Sequence, residues 1–267
     1  MPELHTYQAS GLSYQKAGTG PCVVLLHGFP MSARLWRYVW EDLSAKHTLI
    51  MPDLPGSGGS PLHQYVSLAE MADQVAGILD HEGIDRAIVA GHSMGGYVAF
   101  EMAARHASRL AGLSLIHSLP TSDDDARKAI RRKSIDLIKN GGRGQFLTQA
   151  IPNLFAPTTL QQHPGIVDEE LQLALAIPDE SLINYYEAMI ARADHTNTLR
   201  NVSFPVHWTI GREDNIMNYK KILEFCYLSG INFVTFLVEC GHMSMLEAPV
   251  RLTGSLLDFC AYCNEVK

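Results

Sequence analysis

Residues 86–106 read Arg-Ala-Ile-Val-Ala-Gly-His-Ser-Met-Gly-Gly-Tyr-Val-Ala-Phe-Glu-Met-Ala-Ala-Arg-His. An apolar run from Ala87 to Ala90 meets Gly91-His92-Ser93-Met94-Gly95, and a helical pattern begins at once, from about Gly95 to His106. The reading is a strand, a turn of almost no length and a helix, with a serine at the apex. So tight a turn holds its apex residue in a strained backbone conformation and tolerates only small neighbours. Gly91 and Gly95 stand where a side chain would collide with the adjoining strand or helix. The serine hydroxyl is then pushed clear of the backbone above a helix N-terminus, where developing negative charge is stabilised. Ser93 is the leading candidate for a nucleophile.

The rest of the chain repeats strand and helix around this unit. Val23 to His27 is a short, continuous, branched apolar run that reads as a buried strand, and Thr48 to Met51 is a second. The second ends in Pro52-Asp53-Leu54-Pro55-Gly56-Ser57-Gly58-Gly59, a stretch that reads as loop. Leu68, Met71, Val75, Ile78 and Leu79 recur at helical spacing, and Leu113 to Ile116 is another strand. Alternation of this kind implies an α/β fold, a doubly wound, mostly parallel sheet with helices on both faces. It stops near Ser118. From Thr121 to Arg200 the pattern is helical only, cut by prolines at 152, 157, 164 and 178. Residues 121–200 therefore read as a helical insertion, a cap, and 1–120 with 201–267 as the core. Strands resume at Pro205 to Ile210 and Phe233 to Val238, with helices from about Tyr219 to Leu228 and Pro249 to Tyr262. Asp123, Asp124 and Asp125 mark a helix start, and the basic run 127–133 after them reads as a solvated face or, alternatively, an anion site.

Composition closes off several classes. A net charge of −7 argues against a nucleic-acid or anionic-membrane surface. Met1 to Ser10 is polar, no run is long enough to span a bilayer, and five scattered cysteines form no disulfide framework. A cytoplasmic setting is expected. Cys260 and Cys263 form a C-x-x-C inside an apolar helical pattern, where packing is the default. The histidines lack partners at metal-ligand spacing, and Gly56 to Gly59 opens no dinucleotide-binding helix, so no metal and no cofactor is expected.

In an open parallel sheet, functional residues collect at the carboxyl ends of strands. Four such ends carry chemistry: His27-Gly28-Phe29-Pro30, Ser93, Asp214 and His242. Their order, serine then acid then histidine, resembles that of the α/β-hydrolases. The resemblance covers essentially the whole chain, through His27-Gly28, the Asp53 to Gly58 loop, the Ser93 turn and Gly241-His242. It implies a carboxylesterase-like serine hydrolase with Ser93 as nucleophile, His242 as general base and acid, and Asp214 orienting the imidazole. It also implies an oxyanion hole from the backbone N–H groups of Phe29 and Met94. Glu213 and Asp53 are the rival acids, and His27, His92 and His207 the rival bases; the family spacing favours Asp214, and His207 within a strand reads as structural. One departure stands in the loop after Asp53, where relatives often carry a histidine and this chain has Ser57.

A serine at position 93 excludes the carboxylate-nucleophile branch, the haloalkane dehalogenases and epoxide hydrolases. What the resemblance leaves is acyl transfer to water. His27, Met31, Leu154, Phe155, Met217 and Met243 are candidates for the substrate pocket, and their soft apolar character suits a small-to-medium carboxylic ester. Leu154 and Phe155 read equally well as packed core. Two alternatives stay open: a C–C hydrolase or lyase, which predicts an arginine in the pocket (Arg34, Arg143 and Arg192 are unplaced), and a small-molecule receptor that keeps the triad. The oligomeric state is not legible.

Overall fold

The computed structural model describes residues 2–7 and 9–265. Eight strands form one sheet: β1 (Glu3–Tyr7), β2 (Leu12–Ala17), β3 (Cys22–Leu26), β4 (Thr48–Pro52), β5 (Ala87–His92), β6 (Leu110–Ile116), β7 (Val206–Gly211) and β8 (Asn232–Leu237). The spatial order is β1-β2-β4-β3-β5-β6-β7-β8, parallel throughout except where β2 meets β1 and β4. The apolar runs Cys22–Leu26 and Ala87–His92 are buried along their whole length, as expected of central strands covered on both faces.

Helices flank the sheet on both sides. α1 (Trp40–Ser44), α2 (Leu68–His81) and α3 (Met94–Arg105) follow β3, β4 and β5. The start of α2 is fixed by a reciprocal cap, in which Ser67 Oγ accepts from Glu70 N–H and the Glu70 carboxylate accepts from Ser67 N–H at 2.8 Å. Its buried residues include Leu68, Met71, Val75, Ile78 and Leu79, the stripe read from the sequence. Between β6 and β7 lie only helices: α4 (Asp125–Lys139), α5 (Arg143–Ala150), α6 (Pro157–Gln162), α7 (Pro164–Leu175), α8 (Asp179–Ala191) and α9 (Thr196–Asn201). Pro157 and Pro164 each open a helix, and Pro178 caps α8, because a ring without an N–H is harmless in the first turn. The chain ends through α10 (Tyr219–Leu223), α11 (Ser244–Glu247) and α12 (Pro249–Glu265). Among the described residues no helix is long and apolar enough to cross a membrane.

The sequence reading missed β1 and β2. They form an edge hairpin, and β1 is exposed or half-buried throughout, so neither alternation nor an apolar run marks it. The helix expected from Tyr219 to Leu228 stops at Leu223. Cys260 and Cys263 are buried free thiols, each pushed up to about 12 by burial, the behaviour of packing residues. The basic run on α4 splits: Arg132 and Lys133 face solvent, whereas Arg127 and Arg131 turn inward.

Candidate active site

The turn between β5 and α3 is as tight as the sequence requires. Ser93 has φ +51° and ψ −112°, a conformation that costs energy for any residue with a side chain. It is held on both sides: Ser93 N–H donates to Ile116 carbonyl at 2.9 Å, and Ser118 Oγ donates to Ser93 carbonyl at 3.0 Å. A Cβ on Gly91 would fall on the Gly95 carbonyl, and one on Gly95 would fall between the carbonyl oxygens of Leu26 and His27. Both glycines are therefore demanded by close backbone approach.

Asp214 follows β7 and His242 follows β8. His242 Nδ1 lies 2.7 Å from Asp214 Oδ2, and Asp214 Oδ1 accepts from the backbone N–H groups of Ile216 and Met217, both at 2.8 Å. Burial alone would raise the Asp214 carboxyl, but the His242 charge and the hydrogen bonds from His117 and His242 outweigh it, holding the group well below the usual carboxylate range. Ser93 and His242 both line one cavity of about 530 Å³, floored by Phe29 and roofed by residues of α4, α5 and α8. Neither Phe29 N–H nor Met94 N–H has an acceptor among the described residues, so both remain available as donors.

Two groups that the sequence reading passed over support this arrangement. His117, just past β6 with φ +50°, places Nδ1 3.1 Å from the same Asp214 oxygen. Burial drives its imidazole below the ordinary value, with the Asp214 hydrogen bond opposing. Its position at a strand's carboxyl end was the available signal. Glu247, on α11, accepts from Gly241 and Met243 N–H through Oε1 and from Ala156 N–H and Thr159 Oγ1 through Oε2. It ties the His242 loop to the loop before α6. His117, Asp214 and His242 bring their ligand atoms within 4.8 Å of one another, a grouping that spacing did not reveal. The imidazole Nδ1 atoms are directed at the carboxylate, so hydrogen bonds within the cluster already occupy them.

The pocket candidates divide. Leu154 and Met217 line the cavity with Ser93. His27, Phe155 and Met243 are instead interior, and Met31 lines a separate cavity of about 470 Å³ beside Arg34 and Glu170. The placement of His27 has a clear cause: its Nε2 accepts from Leu54 N–H at 2.9 Å and meets Ser57 Oγ at 2.9 Å, fastening the loop after β4. Ser57 thus fills the departure noted above by anchoring that loop. His92 sets its Nε2 2.8 Å from the His242 carbonyl, and burial, with His242 and His117 beside it, pushes its imidazole well down. His207 sits between Ser114 and Thr235, lowered to about 4 by burial. The three unplaced arginines are all engaged in ion pairs: Arg34 with Glu169, Arg143 with Asp179 and Arg192 with Asp123.

A mostly parallel eight-stranded sheet carrying a strand–serine–helix turn after β5, with acid and histidine just past the last two strands, β7 and β8, defines a class of enzyme scaffold. The model of the α/β hydrolase fold matches residues 21–134. A pimeloyl-[acyl-carrier protein] methyl ester esterase of Salmonella agona is 30% identical over 253 residues, covering 91% of this chain and 96% of that protein. A thermophilic esterase of Thermogutta terrifontis superposes with a TM-score of 0.89 at 30% identity, covering 98% of this chain and 99% of that one. An enol-lactonase of Burkholderia xenovorans shares the fold, with a TM-score of 0.87 at 20% identity over 97% of this chain and all of that one. The chain belongs to the α/β hydrolase fold family. It is an enzyme of that family, a hydrolase.

Proposed function

We propose that the chain is a serine carboxylesterase working through an acyl-enzyme. The observation that carries this reading is the shared cavity of Ser93 and His242, with His242 Nδ1 bonded to a buried, ionised Asp214. Asp214 fixes the tautomer in which Nδ1 carries the proton and Nε2 is free as a base. Ser93 Oγ attacks the ester carbonyl carbon while His242 takes its proton. The oxyanion is received by Phe29 and Met94 N–H, the latter at the N-terminus of α3. Collapse breaks the bond to the alcohol, which leaves with the proton from His242. Water then attacks the acyl-enzyme, giving its proton to His242, and the carboxylic acid departs as Ser93 regains a proton. Residues 121–200 act as the cap that shapes the acyl or alcohol pocket, with Leu154 and Met217 on its walls. The names of the similar esterases agree with ester hydrolysis.

Steady-state hydrolysis of p-nitrophenyl esters from acetate to dodecanoate, by the wild type and Ser93→Ala, tests the reading. Multiple turnovers that vanish in Ser93→Ala are expected; activity surviving that change would overturn the nucleophile assignment. A second reading, cleavage of a C–C bond beside a ketone, gains from Arg127 and Arg131 on the cavity wall, since such substrates carry carboxylates. Ester turnover with Ser93 dependence decides for the first. Tight binding with a single turnover at most would instead mark a receptor.

A further inference from the structure

The wall of the Ser93 cavity opposite the catalytic strands has more positive charge than its acids can balance. Asp123 has a fully buried side chain and receives three guanidinium groups: Arg131 Nε at 2.6 Å, Arg192 Nη1 at 2.8 Å and Arg127 Nε at 3.7 Å. Arg127 and Arg131 line the cavity, and Arg192 lies behind them over the Tyr97 ring, 4.1 Å from its centroid. Asp124, the other acid on this wall, is exposed and caps α4 by accepting from Arg127 N–H. Asp214 across the cavity is committed to His117 and His242. Two buried guanidinium groups, with the part-exposed Arg127 whose Nη2 also donates to the Ile216 carbonyl at 2.9 Å, thus share one buried carboxylate, and a buried charge without a counter-charge is unfavourable.

The residues that carry the donors left over line the same cavity. Arg131, with a side chain only 11% exposed, spends Nε on Asp123, and its two terminal amino groups have no acceptor among the described residues. Its guanidinium lies over Tyr186, 5.5 Å from the ring centroid, a cation–π contact that helps hold it in place. Tyr97 is 3% exposed and lines the same cavity, and its hydroxyl has no partner. It lies four residues after Ser93, one helical turn along the same face of α3. A planar two-pronged donor and an unpartnered hydroxyl on residues of one cavity suit a planar carboxylate. Ile130, Phe146, Ile151 and Leu154 give the cavity an apolar stretch that suits a short methylene spacer.

We infer that the Ser93 cavity selects esters that carry a second, ionised carboxylate, half-esters of dicarboxylic acids, with Arg131 and Tyr97 binding that carboxylate and Arg127 adding charge at the mouth. The inference rests on the ester-hydrolase reading above. A hydrogen-bonded charge pair of this kind discriminates by roughly tenfold to a hundredfold between a substrate that has the anion and one that lacks it.

The test compares kcat/KM for the monomethyl and dimethyl esters of succinate, glutarate and adipate, followed by acid release. The expected result is that the wild type prefers at least one half-ester over its diester by about tenfold or more. Arg131→Met should reduce that ratio by about the same factor, and Tyr97→Phe, which deletes one hydroxyl and no charge, by several-fold. Wild-type preference for the diesters overturns the inference, as does a ratio unmoved by both substitutions. Should Arg131→Met fail to fold for want of its grip on Asp123, the wild-type ratio and Tyr97→Phe still decide. Competition against p-nitrophenyl acetate separates carboxylate from phosphate: glutarate should inhibit, and inorganic phosphate inhibiting equally well would overturn the carboxylate assignment. If no neutral ester is turned over through Ser93, the ester reading itself fails; if neutral esters are hydrolysed but half-esters gain nothing, only this inference does.

Discussion

Asp214→Asn should leave the fold standing and remove nearly all activity, for a reason that can be followed atom by atom. Asp214 Oδ1 is held by two backbone N–H groups, of Ile216 and Met217, each at 2.8 Å. An asparagine will keep its amide oxygen there, because turning the amide over would set a donor against two donors. Its NH₂ then occupies the place of Oδ2, 2.7 Å from His242 Nδ1 and 3.1 Å from His117 Nδ1. Facing a donor, both imidazoles must present a lone pair at Nδ1 and carry the proton on Nε2. His242 then offers Ser93 a proton where a base is needed. A triad acid replaced in this way lowers kcat by about 10⁴, or about 5.4 kcal/mol at 1.36 kcal/mol per decade. The assay is kcat on p-nitrophenyl acetate at pH 7.5, with thermal melting as the folding control and imidazole ¹⁵N chemical shifts to report the tautomer. A folded variant within tenfold of the wild-type kcat would refute the reasoning, and so would unchanged nitrogen shifts.

Glu247→Gln keeps the acceptor for Gly241 and Met243 but sets an NH₂ against Ala156 N–H; a loss of about 1–3 kcal/mol is expected, read as a lower urea midpoint. Gly95→Ala puts a methyl group into the carbonyls of Leu26 and His27, and should cost about 1–3 kcal/mol or prevent folding, checked by thermal melting and by the soluble yield. His207 is lowered to about 4 inside the fold, against about 6.5 unfolded, so the unfolded state binds the extra proton between those values. Its contribution is therefore present above about pH 6.5 and lost as pH falls toward 4, by up to about 3 kcal/mol. Urea unfolding at pH 7.5, 6 and 5 should show that decline, with a shallower slope in His207→Gln; equal slopes would count against it.

Legibility in the sequence followed how locally each feature is determined. The Ser93 turn was readable because its steric demands fall on residues two positions away, Gly91 and Gly95, and no other residue type meets them. Asp214 and His242 were readable through order along the chain, since parallel strands deliver their carboxyl ends to one edge of the sheet. The wall of the cavity was readable only at Leu154 and Met217. His27 and Met243 adjoin the Phe29 and His242 segments yet are buried in the interior, and that depends on how loops pack, which spacing does not carry. Arg131 was obscured for a different reason. Positions 127, 131, 135 and 138 form one stripe of α4, whose last two members are the buried Ile135 and Ile138. The period therefore placed Arg131 on the inward face, but a basic run is ordinarily solvated, and composition outweighed periodicity in the reading. β1 left no trace because an exposed edge strand asks for neither apolar alternation nor a buried run.

The loops at the active edge share one physical solution to a common difficulty. Beyond the ends of the strands, backbone N–H groups lose their sheet partners, and a buried loop must satisfy them some other way. Carboxylates serve this purpose well, since an ionised one accepts at two oxygens and donates nowhere. Asp53 takes Ala33 N–H and Gly59 N–H, each at 2.8 Å, joining the loops after β3 and β4. Asp214 takes Ile216 and Met217 N–H with one oxygen and two imidazoles with the other. Glu247 takes three backbone N–H groups from two separate loops and a hydroxyl from the first turn of α6. In each case the donors come from segments that no regular hydrogen-bonding pattern would bring together. Asp123 stands apart from these three, because its partners are arginine side chains with donors to spare. Where the other carboxylates close their networks, this one leaves an excess of positive charge facing the cavity, and it is there that a substrate's own carboxylate has a place to bind.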